Sequence, residues 1–361
     1  MSVAAPAEER VSDKTDDAGP TTVNPLQRPD WDSLLAAHPQ STIFHESAWA
    51  RVLGETYGHQ PLYVVQFDGN RLAGLLPVME VSSPLTGRRG VSLPFTDSCP
   101  ALHAQGSEGR ALYQEALATG RRRRWKYLEC RGTDAAWEGS SPSLTFYSHV
   151  IDLQPGPDRL FNGFDGSVRR GVRKAQEAGL RVDFDTGMEA MRTFFALHCL
   201  TRRGHGLPPQ PWRFFQSIQK HLLGSGRGFI ATARLGEKPL AAAVFFWHGR
   251  QAIYKYGASD YRFQQLRPNN LLMWSAVRHC AERGLHSLSL GRTSLSNQGL
   301  RRFKLGLGSV EEKAQYAKYD FASKQFVTDV DRVEGWFNRV FARMPLPMLR
   351  LAGAMLYPHL S

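Results

Sequence analysis

The sequence predicts a mixed α/β (α+β) protein, with mixed central sheets flanked by helices and enough chain for two domains. Three observations support this fold class. A hairpin of two apolar strands occurs once in each half of the chain. The second half then alternates strands with helices, as expected for a mixed α/β fold. Finally, 42% of the 361 residues are hydrophobic, which is typical of a globular protein of two ordinary domains.

The first half contains a helix followed by a hairpin. Trp49 and Leu53 are spaced for one face of a helix that Gly58 ends. Residues 63–81 then follow the pattern of strand, tight turn and strand.

The second half repeats this order. Residues 228–247 form a strand, a glycine turn at Gly236 and a longer apolar strand. An aromatic helical stretch precedes each hairpin, around Trp49 in the first copy and around Trp212 in the second. The residue match between the copies is weak by itself, so the interpretation as an internal duplication depends on the shared order of elements.

Alternating elements follow the second hairpin. Residues 252–257 and 286–290 are predicted strands, and residues 269–283 and 298–304 are predicted helices with capping residues or glycines at their ends. Upstream, residues 188–200 have the apolar spacing of an amphipathic helix.

The chain divides into four predicted segments. Residues 1–28 are rich in small and acidic residues and are predicted to be a disordered tail. Residues 29–150 and 151–322 are the two predicted domains, the second of which carries the active site. Residues 323–361 form an amphipathic C-terminal extension.

Charge is concentrated in the second half. The net charge is +12, and residues 151–320 carry 26 Lys and Arg against 13 Asp and Glu. An anionic partner is therefore expected to meet this half rather than the whole surface.

Several chemical classes are excluded by missing motifs. The four cysteines are far apart and lack a Cys-x-x-Cys pair, so they are predicted to be reduced, buried thiols rather than disulfides or zinc ligands. Helical metal-binding histidine pairs, the Gly-x-Ser-x-Gly elbow of serine hydrolases and a Gly-Lys-Ser/Thr phosphate loop do not occur. The class that these exclusions leave is a transferase, in which two bound substrates react directly with each other.

Targeting signals are also missing. No basic stretch followed by an apolar one opens the chain, and no apolar tract is long enough to span a membrane, so we expect a cytoplasmic protein. Residues 336–361 alternate apolar side chains with Arg339, Arg343 and Arg350. Such a segment either packs on its own domain or lies at the inner face of the membrane as a peripheral contact.

Two basic clusters are candidate binding sites. On a helix, Arg169 and Arg173 are four residues apart, as are Arg170 and Lys174, so like charges repel unless the face is solvated or meets an anion. The cluster 301–304 follows a strand end, where α/β folds collect ligands. The helix dipole is the alternative explanation for its arginines, but it does not explain the Phe-Lys pair followed by Gly-x-Gly.

Four segments resemble, in order, the sequence blocks of the Fem-type transferases, also described as the FemAB-like or BioF2-like branch of the GNAT acyltransferase superfamily. They are Val-Arg-Arg-Gly-Val-Arg-Lys-Ala at 168–175, Tyr-Lys-Tyr-Gly-Ala-Ser at 254–259, Arg-Pro-Asn-Asn-Leu-Leu-Met-Trp at 267–274 and Gly-Arg-Thr to Phe-Lys at 291–304. The resemblance covers about residues 40–320. It implies two tandem GNAT-like domains, in agreement with the duplication.

The resemblance also implies site residues. Phe303 and Lys304 correspond to a Phe-Lys pair at the family's active site, and Tyr256 is the third predicted catalytic residue. Tyr254 and Tyr256, two apart on one strand, are expected to share a face and line the cleft, although packed aromatics would look the same.

Phosphate and acceptor contacts complete the predicted site. The donor's phosphates are assigned to Arg267, Asn269, Asn270, Arg292 and Arg301, and the acceptor to Arg169, Arg173, Lys174 and Tyr254. Asn269 and Asn270 start a helix, where backbone N–H groups bind phosphate; ordinary capping is the alternative.

The predicted reaction is transfer of an acyl group from acyl-CoA to an amine of a phosphate-bearing or lipid-linked precursor of the cell envelope or a polysaccharide. Aminoacyl-tRNA is the alternative donor, although the charged helical arm of the longer Fem enzymes is missing here. No metal and no tightly bound cofactor are expected. A nucleic-acid-binding or non-catalytic protein is the alternative from another class, and DNA is not an expected partner.

Overall fold

The computed structural model describes residues 19–36, 38–103, 108–132, 137, 139–331 and 336–360. Its strands are β1 (Thr21–Val23), β2 (Gln60–Pro61), β3 (Tyr63–Asp68), β4 (Arg71–Leu76), β5 (Met79–Ser83), β6 (Gly87–Val91), β7 (Leu102–His103), β8 (Tyr127–Arg131), β9 (Leu144–Asp152), β10 (Arg181–Asp185), β11 (Gly228–Leu235), β12 (Lys238–His248), β13 (Gln251–Ser259), β14 (Ser287–Ser294), β15 (Val310–Asp320) and β16 (Gln325–Phe326). Its helices are α1 (Trp31–Leu35), α2 (Ser47–Tyr57), α3 (Glu108–Arg123), α4 (Pro157–Gly163), α5 (Gly166–Glu177), α6 (Met188–Gly204), α7 (Trp212–Ile218), α8 (Pro268–Glu282), α9 (Gln298–Leu305), α10 (Trp336–Arg343) and α11 (Leu346–Leu356).

One large mixed sheet runs through both halves of the chain. Its strand order is β10-β11-β12-β13-β14-β9-β15-β8-β6-β5-β2, with β16 paired to the end of β15. The pairs β13–β14 and β6–β8 are parallel, and the other neighbours on this path are antiparallel. A smaller sheet has the order β1-β3-β4-β7. The predicted mixed α/β class with helix-flanked sheets is confirmed.

The large sheet has an approximate twofold order around its centre. In each half a strand, a helix and a parallel strand follow one another, as β6-α3-β8 in the first half and β13-α8-β14 in the second. The antiparallel hairpin partner lies outside this unit in both halves. Of the two predicted hairpins, residues 228–247 form β11 and β12 of this sheet, whereas residues 63–81 begin as β3 and β4 of the smaller sheet.

The two halves exchange strands at the centre. β9 follows β8 in the chain but pairs with β14, while β15 follows β14 and pairs with β8. β9 and β15 also pair with each other, from Val310 opposite Val150 to Tyr316 opposite Leu144. The predicted domain boundary at residue 150 therefore falls inside β9, a strand that pairs with β14 of the second half.

The prediction of a disordered tail over residues 1–28 is wrong for its described part. Thr21–Val23 pair antiparallel with β3, and Asn24 Oδ1 accepts a hydrogen bond from Leu26 N at 2.9 Å to start a 3-10 turn. Residues 1–18 lie outside the described residues. The composition of this segment is unfavourable for an independent core, but the open edge of β3 supplies its backbone partners.

The second hairpin is buried on both faces, which explains its unbroken apolar sequence. Along β12, alternate side chains enter two different cores, one beneath α8 and one beneath α6 and α7. Ala241, Ala243 and Phe245 face the first core, and Ala242, Val244 and Phe246 face the second. The helices predicted at 188–200 and 269–283 are α6 and α8, and each covers one side of the sheet.

The C-terminal extension ends in two helices, α10 and α11, that pack against α6. Leu349 and Tyr357 are buried, and Gly353 lies so close to the Pro209 carbonyl that no side chain would fit there. Within the described residues, no helix has both the length and the apolar character required to cross a bilayer. All four cysteines are free and buried, as predicted.

Candidate active site

A cleft of about 410 Å³ lies where two parallel strands separate. β13 and β14 pair only from Gln251 opposite Ser287 to Ile253 opposite Ser289. After Ile253 and Ser289, β14 still pairs with β9 on its other side and β13 still pairs with β12. The sheet therefore opens between β13 and β14. Five of the predicted site residues line this opening: Asn269, Tyr254, Arg292, Phe303 and Lys304.

Lys304 lies at the floor of the cleft. It is held by α9, whose first turn is capped by the Asn297 side chain accepting from Leu300 N at 3.0 Å. The Lys304 residue is 3% exposed, and its Nζ donates to the carbonyls of Gly291 at 2.9 Å and Arg292 at 3.0 Å. An ammonium group has three N–H donors, so these two bonds leave one for a substrate.

Burial sets the ionisation of this lysine. Desolvation lowers the pKa of Lys304 to about 8, and the carboxylate of Asp97 opposes this shift only in part. Lys304 is therefore mostly an ammonium group at neutral pH and loses its charge just above it.

A buried ion pair lies beside Lys304. Lys255 Nζ donates to Asp97 Oδ2 at 3.1 Å, and the Lys255 side chain is 4% exposed. Burial alone would raise the pKa of Asp97, but the charges of Lys255, Arg292 and Lys304 outweigh burial, so its pKa is lowered. Burial lowers the pKa of Lys255 despite the carboxylate. The floor of the cleft thus carries one carboxylate among several cations.

Tyr316 connects the two halves of the protein at this floor. Its hydroxyl donates to the Asp97 carbonyl at 2.6 Å and accepts from Arg292 Nη1 at 2.8 Å. The Arg292 guanidinium also lies 4.4 Å from the centre of the Phe146 ring. Asp97 comes from the loop after β6, so the site needs both halves of the chain.

Gly291 permits this close approach. Its φ is 70°, in the left-handed region that favours glycine, and a Cβ there would lie 3.1 Å from Asp97 Oδ2. The same residue supplies a carbonyl to Lys304. The Gly-Arg-Thr block at 291–293 therefore packs against both Asp97 and Lys304.

The expectation that Tyr254 and Tyr256 share a face is wrong. The register between β12 and β13 shifts at this point, with Val244 opposite Tyr256 but Phe245 opposite Tyr254. This bulge places Lys255 as an extra residue and reverses the alternation of side chains. Tyr254 lines the cleft, whereas Tyr256 packs in the aromatic core under α6 and α7.

Tyr256 is thus not brought to the cleft, and its environment is aromatic. Its ring lies 5.6 Å from that of Phe215 and 6.2 Å from that of Phe214. Burial raises the pKa of Tyr256 well above its usual value, and burial raises that of Tyr254 to about 12. Both phenols are therefore neutral at physiological pH.

The start of α8 forms one side of the cleft mouth. Asn269 lines the cleft, with Nδ2 at 3.3 Å from Ser259 Oγ. Asn270 instead faces the crossing with α5, where any side chain at Gly171 would meet its amide. Arg267 is exposed, has a left-handed backbone with φ 59°, and does not line the cleft.

Arg301 is engaged elsewhere. Its guanidinium donates to both carboxylate oxygens of Glu311 at 2.7 Å and lies 4.3 Å from the centre of the Tyr147 ring. His149 Nε2 lies 3.0 Å from the same carboxylate. This bidentate pair holds α9 against β15 and β9, so the structure does not bring Arg301 to the cleft.

The basic cluster of the second half forms the outer face of α5. The inner face, with Val172 and Ala175, packs against α8. Arg173 and Lys174 are exposed, Arg169 is half-buried, and none of the three lines the cleft. The predicted acceptor contacts of these cations therefore remain predictions.

A smaller cavity of about 120 Å³ adjoins the cleft and shares Asp97, Gly291 and Arg292 with it. His248 lines it, with Nδ1 bonded to the buried carboxylate of Glu46 and Nε2 at 2.8 Å from Ser41 Oγ.

This order of Ser, His and Glu resembles that of a hydrolase triad. However, Ser41 is 2% exposed, its hydroxyl donates to the His38 carbonyl at 2.6 Å, and it does not line the cavity. Arg227 also pairs with Glu46. These contacts therefore join the segment that contains Ser41 and Glu46 to His248 at the end of β12.

Sequence reasoning missed three residues of the site, Asp97, Lys255 and Tyr316. Lys255 stands inside the quoted Tyr-Lys-Tyr-Gly block, so a signal for it was present. Asp97 and Tyr316 carry no local signal, because the exchange of strands between the halves is what brings Tyr316 to Asp97 and Arg292. In the part of the chain that the structure describes, no group of three or more His, Cys, Asp or Glu residues is placed to hold a metal ion.

The chain is similar to known proteins in part of its sequence and in its fold. Residues 163–313, which contain β13, α8, β14 and α9, match the family model described as Acetyltransferase (GNAT) domain. No curated protein matches the sequence.

Among solved structures, FemX has a TM-score of 0.66 and 14% identity, over 84% of this chain and 98% of FemX. A tandem GNAT protein from the clavulanic acid biosynthesis pathway has a TM-score of 0.52 and 13% identity, over 83% of this chain and 98% of its own. The L-PGS structure from Bacillus licheniformis has a TM-score of 0.51 and 13% identity, over 91% and 96%. At these identities the likeness concerns the fold. Residues 163–313 are therefore identified as a GNAT acyltransferase domain, and the chain as a whole shares the fold of FemX and of the tandem GNAT protein.

Proposed function

We propose that this protein is an N-acyltransferase that passes an acyl group from an activated donor to an amine of a cell-envelope or polysaccharide precursor. The position of Lys304 carries the proposal. Its ammonium group is buried at the floor of a cleft lined by the GNAT domain and by Asp97 of the first half, and it keeps one N–H free of the two carbonyls that hold it.

In the proposed reaction, the residues at the floor of the cleft act on the two substrates. The acceptor amine attacks the acyl carbonyl, so an N–C bond forms while the C–S or C–O bond to the donor breaks. Lys304 donates to the oxygen on which negative charge develops, and the proton lost by the amine leaves with the thiol or hydroxyl product. Asp97 favours the charged form of Lys304 and Lys255, because its carboxylate opposes the lowering of their pKa values by burial. Phe303 lines the cleft beside Lys304 and shields this exchange from water.

Acyl-CoA is the favoured donor. The N-terminus of α8 carries the positive end of a 15-residue helix to the cleft mouth at Asn269. Arg292 adds a half-buried cation on the facing strand. In this proposal the donor's phosphates lie at the helix start, with Arg267 at their outer side, and its acyl group reaches down to Lys304.

Aminoacyl-tRNA is the second candidate donor, and the similarity to FemX favours it. FemX, a peptidoglycan aminoacyltransferase, covers the chain with a higher TM-score than the tandem GNAT protein does, 0.66 against 0.52. The same attack on a carbonyl would then release the ribose hydroxyl of the tRNA. The exposed cations of α5, Arg173 and Lys174, would bind phosphates of the acceptor or of the tRNA.

The donor can be identified by a direct transfer assay. Purified protein is mixed with radiolabelled acetyl-CoA or with radiolabelled aminoacyl-tRNA, each with a nucleotide-linked or a lipid-linked amino sugar or muropeptide as acceptor. We expect label in the acceptor with one donor and release of its leaving group in equal amount.

The matched control compares two lysine variants. Lys304→Met removes the proposed donor, whereas Lys318→Met removes a half-buried lysine that pairs with Asp329 away from the cleft. Transfer should be lost in the first and kept in the second. If neither donor gives transfer above the level of the Lys304→Met variant, the proposed function is refuted.

A further inference from the structure

The last segment of the chain, residues 336–360, has a composition unlike the rest of the surface. It contains Arg339, Arg343 and Arg350 but no Asp or Glu. Seven of its large apolar side chains are exposed: Phe337, Val340, Met348, Leu351, Met355, Leu356 and Leu360. We call this set, together with Arg339 and Arg343, the C-terminal apolar face.

The helices that carry this face are firmly attached to the protein. Along α11 and into the turn that follows it, Leu349, Gly353 and Tyr357 recur every four residues and are buried. The Tyr357 hydroxyl accepts from Arg202 at 3.0 Å, and the His359 carbonyl accepts from Arg89 at 2.7 Å. One side of the segment is therefore part of the fold, as the packing interpretation of the sequence predicted.

The opposite side of α11 remains open. Met348, Leu351 and Met355 are spaced three and four residues apart, so they lie on one stripe of the helix, and each is 58–60% exposed. On α10, Val340 is 48% exposed, and Arg339 and Arg343 are exposed beside it. Within the described residues these side chains remain exposed, and an exposed apolar stripe of this kind marks an interaction surface.

The C-terminal apolar face borders the entrance to the active site. A cavity of about 850 Å³ is lined by Ala342 of α10 and by Arg203, Tyr261 and Arg262. Thr201, His205 and Ser259 line both this cavity and the cleft that holds Lys304. A molecule lying against α10 would therefore have a direct path to the cleft.

The charges of this face select its partner. A second copy of the chain would bring arginines against arginines, with no acid in the segment to pair them. An anionic bilayer instead accepts apolar side chains below its surface and arginines at its headgroups. We propose that the C-terminal apolar face docks the cleft mouth onto a membrane surface that contains anionic lipid. Resting on the proposed function, this arrangement favours a lipid-linked amine as the acceptor.

Vesicle sedimentation tests the docking. The full chain is spun with vesicles of phosphatidylglycerol and phosphatidylcholine, or of phosphatidylcholine alone, at two salt concentrations. We expect binding to the anionic vesicles that weakens with salt. The double substitution Leu351→Glu with Met355→Glu should reduce the affinity about 100-fold or more, and Arg339→Gln and Arg343→Gln about fivefold each.

The control is Val310→Glu, at a side chain that is 65% exposed on β15, outside the C-terminal apolar face. It should bind as the wild type does, and circular dichroism should show that all variants are folded. Wild-type protein that stays in the supernatant, or a double variant that still sediments, overturns the proposal. So does a wild-type dimer in light scattering that the double variant converts to a monomer.

The docking proposal and the proposed function can be refuted independently of each other. Vesicle binding needs no substrate, so inactivity towards both donors would refute the proposed function and leave the docking result unchanged. In an active preparation, the double variant should lose transfer to a lipid-linked acceptor in vesicles and keep transfer to its water-soluble counterpart. Equal loss on both acceptors would overturn the link between docking and substrate.

Discussion

Replacing Lys304 with methionine should lower kcat by about 10²–10³-fold, the usual cost of removing one donor to a developing oxyanion. The structure sets this magnitude, because two of the three N–H groups of Lys304 are used by the Gly291 and Arg292 carbonyls. A single donor to the substrate is therefore lost. Methionine keeps the length of the side chain, so the cleft should stay filled.

The pH dependence gives a second, independent signature. Because burial lowers the pKa of Lys304 to about 8, the wild-type kcat should fall above that pH as the ammonium donor is lost. Steady-state kinetics from pH 6 to 10 should show this alkaline limb in the wild type and not in Lys304→Met.

Stability should change in the opposite direction. Between pH 8 and 10.5 the unfolded chain holds a proton on this lysine that the folded chain has released. The contribution of Lys304 to the free energy of unfolding therefore rises with pH across this window. Denaturant titrations of wild type and Lys304→Met at both pH values measure the difference.

A Lys304→Met enzyme that keeps more than about a third of wild-type turnover would refute the catalytic role.

Three further results are expected. Asp97→Asn should lower the pKa of Lys304 and move the alkaline limb of kcat to lower pH, with a loss on the order of tenfold at pH 8; an unchanged limb would contradict the coupling. Gly257→Ala would place a Cβ against the Tyr254 hydroxyl, so kcat/KM should fall by up to about 100-fold, whereas unchanged kinetics would remove Tyr254 from the cleft wall. Residues 151–361 expressed alone should aggregate, because most of β9 is missing beside β14; a soluble, folded fragment by circular dichroism would show that the exchange is dispensable.

The periodic elements were predictable because their signals are local. The helix predicted over 269–283 is α8 at Pro268–Glu282, and the strand predicted over 286–290 is the first part of β14. Proline and glycine mark both helix ends, and the apolar spacing is unbroken between them. For the same reason the Phe-Lys pair could be placed at the end of a helix next to a strand end.

The face of a strand residue was not predictable where the register shifts. Alternation puts Tyr254 and Tyr256 on one side of a regular strand, and a single extra residue in β13 reverses it. Bulges depend on the pairing with the neighbouring strand, which leaves no mark in the residues of β13 themselves. The position of the Arg301 side chain was not predictable for a related reason. Its partner Glu311 lies on β15, and the sequence does not show with which strands β15 pairs.

The exchange of strands explains why the site needs the whole chain. If each half kept its own last strand, β15 would pair with β14 and Tyr316 would have no reason to meet the loop after β6. Because β15 instead crosses to β8, the Tyr316 hydroxyl reaches the Asp97 carbonyl at 2.6 Å and Arg292 at once. Asp97 is thereby fixed beside Lys255 and supports the charge of Lys304. The first half therefore contributes a charged group on which the proposed chemistry of the second half depends.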